Sequence, residues 1–311
     1  MSAVHMPVRA ASRHRGQPGP TTRDLRVTVR GVPVQYLEAG SGPPLLLLHG
    51  HEQSATSWRW VMPALARTHR VLALSLPGHG GTGLVSGYAP GADLAPFVAG
   101  FLDTLEVGPV DVVGHSAGGA VALRLALADP HRVHTLTLVD SAGLGRHVNP
   151  LLALDTAPGL GELAILFARL PGGAMARSLM SAAMLFAWPW RAPIEFFTEA
   201  HATGGRPGQL EASTAMARAM FELTGQREVL VDRLGELEMP TLVIWGALDY
   251  VLPAYQAPHA VSRLRRGRLE MFPGCGHLPH VEHPARFAQV LGGFLTEHRN
   301  QVEHRNQPPA A

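Results

Sequence analysis

The sequence predicts an α/β protein: a mostly parallel eight-stranded sheet flanked by helices, with a long helical insertion ahead of the last two strands. Three observations lead there. Continuous apolar runs such as those in PPLLLLHG at 43–50 and RVLALSLPGHGGTG at 70–83 end in Gly-containing turns, the pattern of strands buried on both faces of a parallel sheet. At residues 110–128 a β-branched run breaks into a Gly-rich turn and then a long apolar helix. From about Arg146 to Glu238 strand patterning gives way to helical periodicity rich in Met, Phe and Trp, cut by Pro and Gly.

Taken in order, residues 1–22 read as a flexible basic leader. LRVTVR and VQYLEA alternate with period two and join through Gly31-Val32-Pro33 as an antiparallel hairpin. PPLLLLHG at 43–50 is a buried strand, and Trp58 to Arg67 reads as helix. RVLALSLPGHGGTG at 70–83 is a strand that runs into a glycine loop. Ala92 to Leu105 is a helix stopped by Gly108-Pro109. The strand, turn and helix at 110–128 end at Asp129-Pro130, and VHTLTLVDS follows as a strand. After the insertion come TLVIWG, a helix near Tyr255–Arg263, the strand RLEMFPG and a last helix from Ala285 to Glu297. The domain reading is therefore a core of 23–145 and 239–299, a helical cap of 146–238 and a flexible tail of 300–311, in which EHRNQ occurs twice without a structural role.

Composition bounds the function. The chain of 311 residues is 46% hydrophobic and 16% charged, enough apolar material for a buried core. It contains no lysine, which excludes Schiff-base, pyridoxal-phosphate and Walker-type phosphate chemistry. Arginines cluster at Arg9, Arg13 and Arg15 and at Arg263, Arg265, Arg266 and Arg268, yet the net charge is only +2, so they read as solvated surface rather than a nucleic-acid interface. The lone Cys275 cannot form an intrachain disulfide, and no signal-like or membrane-spanning run occurs. The expectation is a cytoplasmic protein with a small-molecule substrate, no cofactor or metal, and no nucleic-acid or membrane partner; oligomeric state is left open.

Gly114-His115-Ser116-Ala117-Gly118 places a serine at the apex of the strand-to-helix turn, where a phosphate-binding or purely packed Gly turn is the plainer alternative. A turn this tight needs flanking residues without Cβ, and the helix that follows points unpaired N–H groups at any oxygen beside Ser116. A serine hydroxyl is a weak nucleophile, so it needs a histidine to take its proton and a carboxylate to orient that histidine. Asp249 and His277 each lie just past a late parallel strand, at the same sheet edge as Ser116. His115 should point away from the site. His277, His280 and His283 as metal ligands are disfavoured because Pro279 and Pro284 break any helical ligand face.

Four motifs make the chain from about Leu25 to Arg299 resemble the α/β-hydrolase superfamily: His49-Gly50, Pro77-Gly78-His79-Gly80, the Gly114–Gly118 elbow, and the loops WGALDYVLP and GCGHLPHVEHP. Ser75 stands where many relatives carry Asp. The resemblance implies the α/β-hydrolase fold with a helical cap, a nucleophile Ser116, a base His277, and an acid Asp249 within Gly-x-x-Asp-x-x-x-Pro. Asp140 is the alternative acid, since some members place theirs after the preceding strand. It also implies an oxyanion hole from the backbone N–H groups of Ala117 and His51, with the His51 imidazole as pocket wall and His49 structural. The implied activity is carboxylic ester hydrolysis. Hydrolysis of a carbon–carbon bond in ring-cleavage products is an alternative, although Leu278 stands where many such enzymes carry Trp. Perhydrolysis and ligand binding without turnover are the remaining alternatives. Cys275, two residues before His277, is either a rim thiol whose modification inhibits or an inert buried side chain. Met175, Met180, Met184, Met216 and Met220, with Phe186, Trp188, Trp190, Phe196 and Phe197, either line an apolar pocket or form core.

Overall fold

The computed structural model describes residues 20–84, 94–206 and 208–306, without the side chains of 203–204 and 300–306. Most of the leader, Arg9, Arg13 and Arg15 included, and residues 307–311 lie outside the described residues. In chain order the elements are β1 (Arg23–Val29), β2 (Val32–Ala39), β3 (Pro44–Leu48), α1 (Met62–Leu65), β4 (Arg70–Leu74), α2 (Ala95–Thr104), β5 (Val110–His115), α3 (Ala117–Ala128) and β6 (Val133–Val139). Next come α4 (Pro150–Leu154), α5 (Leu160–Ala168), α6 (Gly173–Leu185), α7 (Ile194–Gly205), α8 (Gln209–Met220) and the two-residue strands β7 (Phe221–Glu222) and β8 (Gly225–Gln226). The chain closes with β9 (Thr241–Gly246), α9 (Gln256–Val261), β10 (Gly267–Phe272), α10 (Pro279–Glu282) and α11 (Pro284–Asn306).

Eight strands form one sheet in the order β1-β2-β4-β3-β5-β6-β9-β10, with β2 antiparallel to β1 and β4 and every other pairing parallel. The run of leucines in β3 shows why these strands are apolar throughout. Leu46 and Leu48 pack with Phe101, Val121 and Trp245 on one face, while Leu45 and Leu47 pack with Trp58, Phe287 and Phe294 on the other. Successive side chains alternate across a strand, so a strand covered on both faces must be apolar at every position. The chain leaves β3 toward β4 on one side and returns to β5 on the other. This reversal opens a crevice at the carboxyl ends of β3 and β5, where open α/β sheets bind ligands.

The structure departs from the sequence reading in four places. The first hairpin turns at Arg30 and Gly31, at φ 50° and 80°, so Val32 and Pro33 already belong to β2, Pro33 opposite Thr28. The expected helix over Trp58–Arg67 divides into a 3-10 turn over Ala55–Trp58, capped by the Ser54 hydroxyl on Thr56 N–H, and the single turn α1. The segment 146–238 is not strand-free, since β7 and β8 pair as a minimal antiparallel hairpin. The last helix does not stop at Glu297 but runs to Asn306. No Gly or Pro interrupts it between Phe294 and Asn306, and the first breaker beyond is Pro308.

Candidate active site

Ser116 sits between β5 and α3 with φ 51° and ψ −117°, a conformation that L-residues rarely adopt. Close packing enforces it. A Cβ on Gly114 would fall 2.4 Å from Gly118 O, and one on Gly118 2.4 Å from Leu48 O. The turn is therefore clamped between its own helix and the end of β3, and a Cβ on Gly50 would lie 3.1 Å from Ser116 Cβ. The serine amide donates to Val139 O at 2.9 Å, and the serine carbonyl accepts from Ala142 N at 3.1 Å, which ties the turn to the end of β6.

His277 lies in the loop after β10 and Asp249 in the loop after β9. His277 Nδ1–H donates to Asp249 Oδ2 at 2.8 Å, with both side chains buried. The other carboxylate oxygen of Asp249 accepts the amides of Val251 at 2.7 Å and Leu252 at 3.0 Å. Three donors thus converge on one buried carboxylate and fix its orientation. With the proton held on Nδ1, the Nε2 of His277 is left as an acceptor. Ser116 and His277 line the same cavity, of about 300 Å³.

Asp140, at the end of β6, is also buried and also unusual in its backbone, at φ 42°. Its Oδ1 accepts Gly246 N–H at 2.8 Å. Burial first, and then the neighbouring Asp249 charge, push its carboxyl well above the ordinary range. Its carboxyl therefore resists ionisation, and its Oδ2 is buried without a hydrogen-bond partner. Asp140, Asp249 and His277 bring one side-chain atom each within 4.8 Å of one another, and within this cluster Asp249 is hydrogen-bonded to His277.

His115 does not point away from the site. Its Nε2–H donates to the carbonyl oxygen of His277 at 2.8 Å and its ring lies 4.9 Å from that of His277. Burial, with His280 and His277 nearby, holds His115 well below the ordinary histidine range, so its one proton is kept for this bond. His280, pushed down to about 3 by burial, packs on the ring of Trp58 at 4.4 Å. His49 is likewise buried and neutral. It donates from Nδ1 to Gly50 O and accepts Leu76 N–H at Nε2, joining the ends of β3 and β4.

Among the oxyanion candidates, Ala117 is the first residue of α3, and His51 follows the His49-Gly50 turn that abuts Ser116. The His51 imidazole reaches across the cavity, its Nε2–H donating to Ser213 O in α8 at 2.9 Å. Cys275 is fully buried, with its thiol pushed far up by burial and by Glu282, and it is not on the cavity wall. Of the methionines and aromatics of 146–238, Met180, Met184 and Phe196 line the cavity, Met216 and Phe186 are buried in packing clusters, and Met175, Trp188 and Trp190 face outward.

Three features of the site carry no sequence signal. Gln53 Oε1 accepts the amide of Gly50 at 3.0 Å and shapes the turn beside Ser116. Arg177 of α6 pairs with Glu52 at 2.8 Å, bridging the helical segment to the β3 loop at the cavity wall. Glu282 accepts Gly276 N–H at 2.7 Å and Ala187 N–H at 3.1 Å, binding the His277 loop to the end of α6. The last two join groups far apart in the chain.

A sheet of this order, with a strained serine at the switch point and a buried imidazole–carboxylate pair at the same edge, defines an α/β-hydrolase architecture. The chain belongs to the alpha/beta hydrolase family, whose model matches residues 45–290. It is 32% identical to a 2-hydroxymuconate semialdehyde hydrolase from a Pseudomonas species over 283 residues, covering 87% of this chain and 93% of that one. It is 28% identical to a pimeloyl-[acyl-carrier protein] methyl ester esterase from Aeromonas hydrophila, covering 82% and 96%. A crystal structure of a bacterial membrane phospholipase A superposes with a TM-score of 0.75 at 26% identity, covering 91% of this chain and 88% of that one. Relatives of this kind include both ester and carbon–carbon bond hydrolases, and the chain is a serine hydrolase of this fold.

Proposed function

We propose that the protein hydrolyses carboxylic esters of small, largely apolar substrates through an acyl-enzyme, with Ser116 as nucleophile, His277 as base and Asp249 as the acid that orients it. The observation that carries this reading is the His277 Nδ1–Asp249 Oδ2 bond of 2.8 Å on the wall of the cavity that also holds Ser116. Ser116 Oγ attacks the ester carbonyl as its proton passes to His277 Nε2. The negative charge that forms on the carbonyl oxygen is received by the N–H groups of Ala117 and His51, backed by the positive end of α3. Collapse of the intermediate passes the proton from His277 to the departing alkoxide. A water molecule, deprotonated by the same imidazole, then releases the acid and restores Ser116.

The helices of 146–238 act as a cap that selects the acyl group. Met180, Met184 and Phe196 reach the cavity from above, opposite Val251 and Leu278 on the core side. Asp140 serves as a neutral neighbour of Asp249 rather than as the orienting acid, because its buried carboxyl resists ionisation beside an existing charge. A second reading, cleavage of a carbon–carbon bond in a ring-cleavage product, is favoured by the 32% identity to 2-hydroxymuconate semialdehyde hydrolase. The deciding experiment compares kcat/KM across p-nitrophenyl esters of increasing chain length with that for ring-cleavage dienoates. Ester turnover that is lost in Ser116→Ala and exceeds dienoate turnover at least a hundredfold supports the ester reading; the reverse ratio replaces it with the second.

A further inference from the structure

The described part of the helical segment does not end in a polar outer face. On α5, Leu160, Leu163 and Phe167 stand at i, i+3 and i+7 spacing with Leu166 beside them, and Leu163, Leu166 and Phe167 are each more than half exposed. On α6, Met175, Leu179 and Met180 are also more than half exposed. Beyond the end of α6, Trp188 and Trp190 lie 5.4 Å apart, the second 75% exposed, and the Arg191 guanidinium stands 6.0 Å over the Trp188 ring. Single exposed leucines are ordinary, but a contiguous apolar face on one pair of helices marks an interaction surface.

Two observations say what covers it. Phe167 and Met180, from the two helices, are exposed and also line the cavity that holds Ser116. The apolar face is therefore continuous with the cavity, which opens between α5 and α6. A protein seated there would close that entrance, whereas a lipid layer would feed it. From the start of α5 to Arg191, residues 160–191 contain three arginines and one acidic residue, Glu162, which pairs with Arg218. Arg169 pairs with Glu211 and Arg177 with Glu52, while Arg191 remains beside the two tryptophans. Amphipathic rings with a neighbouring guanidinium suit the headgroup level of a bilayer, and leucine, methionine and phenylalanine suit the layer below it.

We propose that the face formed by α5, α6 and the Trp188–Trp190 turn docks on a phospholipid surface, so that apolar esters enter the cavity from lipid. No helix among the described residues is long and apolar enough to cross a membrane, so the contact is with the surface only. This departs from the expectation of no membrane partner. The entry route rests on the ester-hydrolase reading; the docking itself does not.

The test floats the full-length Ser116→Ala protein with vesicles of phosphatidylcholine, alone or with 30% phosphatidylglycerol, so that no lipid is consumed. Binding to both, several-fold stronger with phosphatidylglycerol, is the expected result. Adding Leu163→Gln, Leu166→Gln and Trp190→Gln should reduce flotation at least tenfold. The same triple change with Ser116 intact should keep p-nitrophenyl acetate turnover within about twofold, which also reports on folding. Trp190→Gln alone, at an exposed ring, should reduce flotation about threefold. Absence of vesicle binding by the parent protein, or unchanged binding by both variants, overturns the proposal. So does a vesicle-independent dimer that Trp190→Gln dissociates, which would assign the face to a second copy of this chain. Flotation without ester turnover in the Ser116 protein would overturn the ester reading and leave the docking face standing.

Discussion

The main-chain N–H of His277 donates to the carbonyl oxygen of Leu185, the last residue of α6, at 2.8 Å. The loop that carries the imidazole is thus hydrogen-bonded to the helical segment above it. Glu282 reinforces the joint by accepting from both sides, Gly276 and Ala187. Glu282→Ala should leave two partly buried amides unpaired, at about 1–3 kcal/mol each before relaxation. The expected outcome is a lowered melting temperature and a kcat reduced about tenfold or more as His277 loses its position; Glu282→Gln, which keeps one acceptor, should recover part of both.

Ser116→Ala should reduce ester turnover by about three orders of magnitude or more, because the remaining donors and cavity cannot replace the nucleophile. The glycines that clamp the turn are untouched, so the melting temperature should stay within a few degrees. Turnover near the parent rate would remove Ser116 from the mechanism.

Asp249→Asn should cost about 10⁴ in kcat, since an amide facing His277 Nδ1 favours the wrong tautomer. Asp140→Asn should cost less than about tenfold, because a neutral amide replaces a neutral acid of the same shape. Measured side by side, the opposite ranking would transfer the orienting role to Asp140.

His49, His79, His115 and His280 are all held below the ordinary histidine value by burial: His49 and His280 to about 3 and His79 to about 4. Between those values and about 6.5 the unfolded chain binds protons that the folded chain refuses. Their contribution is complete above about pH 6.5 and is lost as pH falls toward 3. At pH 5 His49, His79 and His280 each cost about 2 kcal/mol at most, several kcal/mol of lost stability together, and His115 adds in the same direction. His69 shares this direction, while His134, raised by its bond to Asp111, and the carboxyls of Asp140, Asp155 and Glu282, raised by burial, oppose it. Urea midpoints should therefore fall steeply between pH 7.5 and pH 5 at constant slope; equal midpoints would contradict neutral burial.

Cys275 should resist thiol reagents in the folded protein, since its sulfur is buried and its thiolate is disfavoured by burial and by Glu282. Mass spectrometry should find labelling only after denaturation, with ester turnover unchanged before it. Rapid labelling with loss of turnover would restore the rim reading.

What the sequence determined by itself is local and periodic. Gly114 and Gly118 around Ser116 specify the elbow because only a residue without Cβ fits between α3 and the end of β3. The leucines of β3 specify a two-faced central strand because both of its surfaces meet core. Asp249 and His277 were legible as carboxylate and imidazole at strand ends, since such ends share one edge of a parallel sheet. Tertiary structure brings Asp249, the acid that its motif favours, onto His277 and buries Asp140 beside it. It also turned His115 onto the His277 carbonyl, against the expectation from its place beside the nucleophile. The outward face of α5 and α6 was equally hidden, since an apolar stripe at helical spacing reads the same whether it meets a core or the outside. Period measures which residues share a face; only the packing of helices that are remote from the sheet in sequence decides what that face meets.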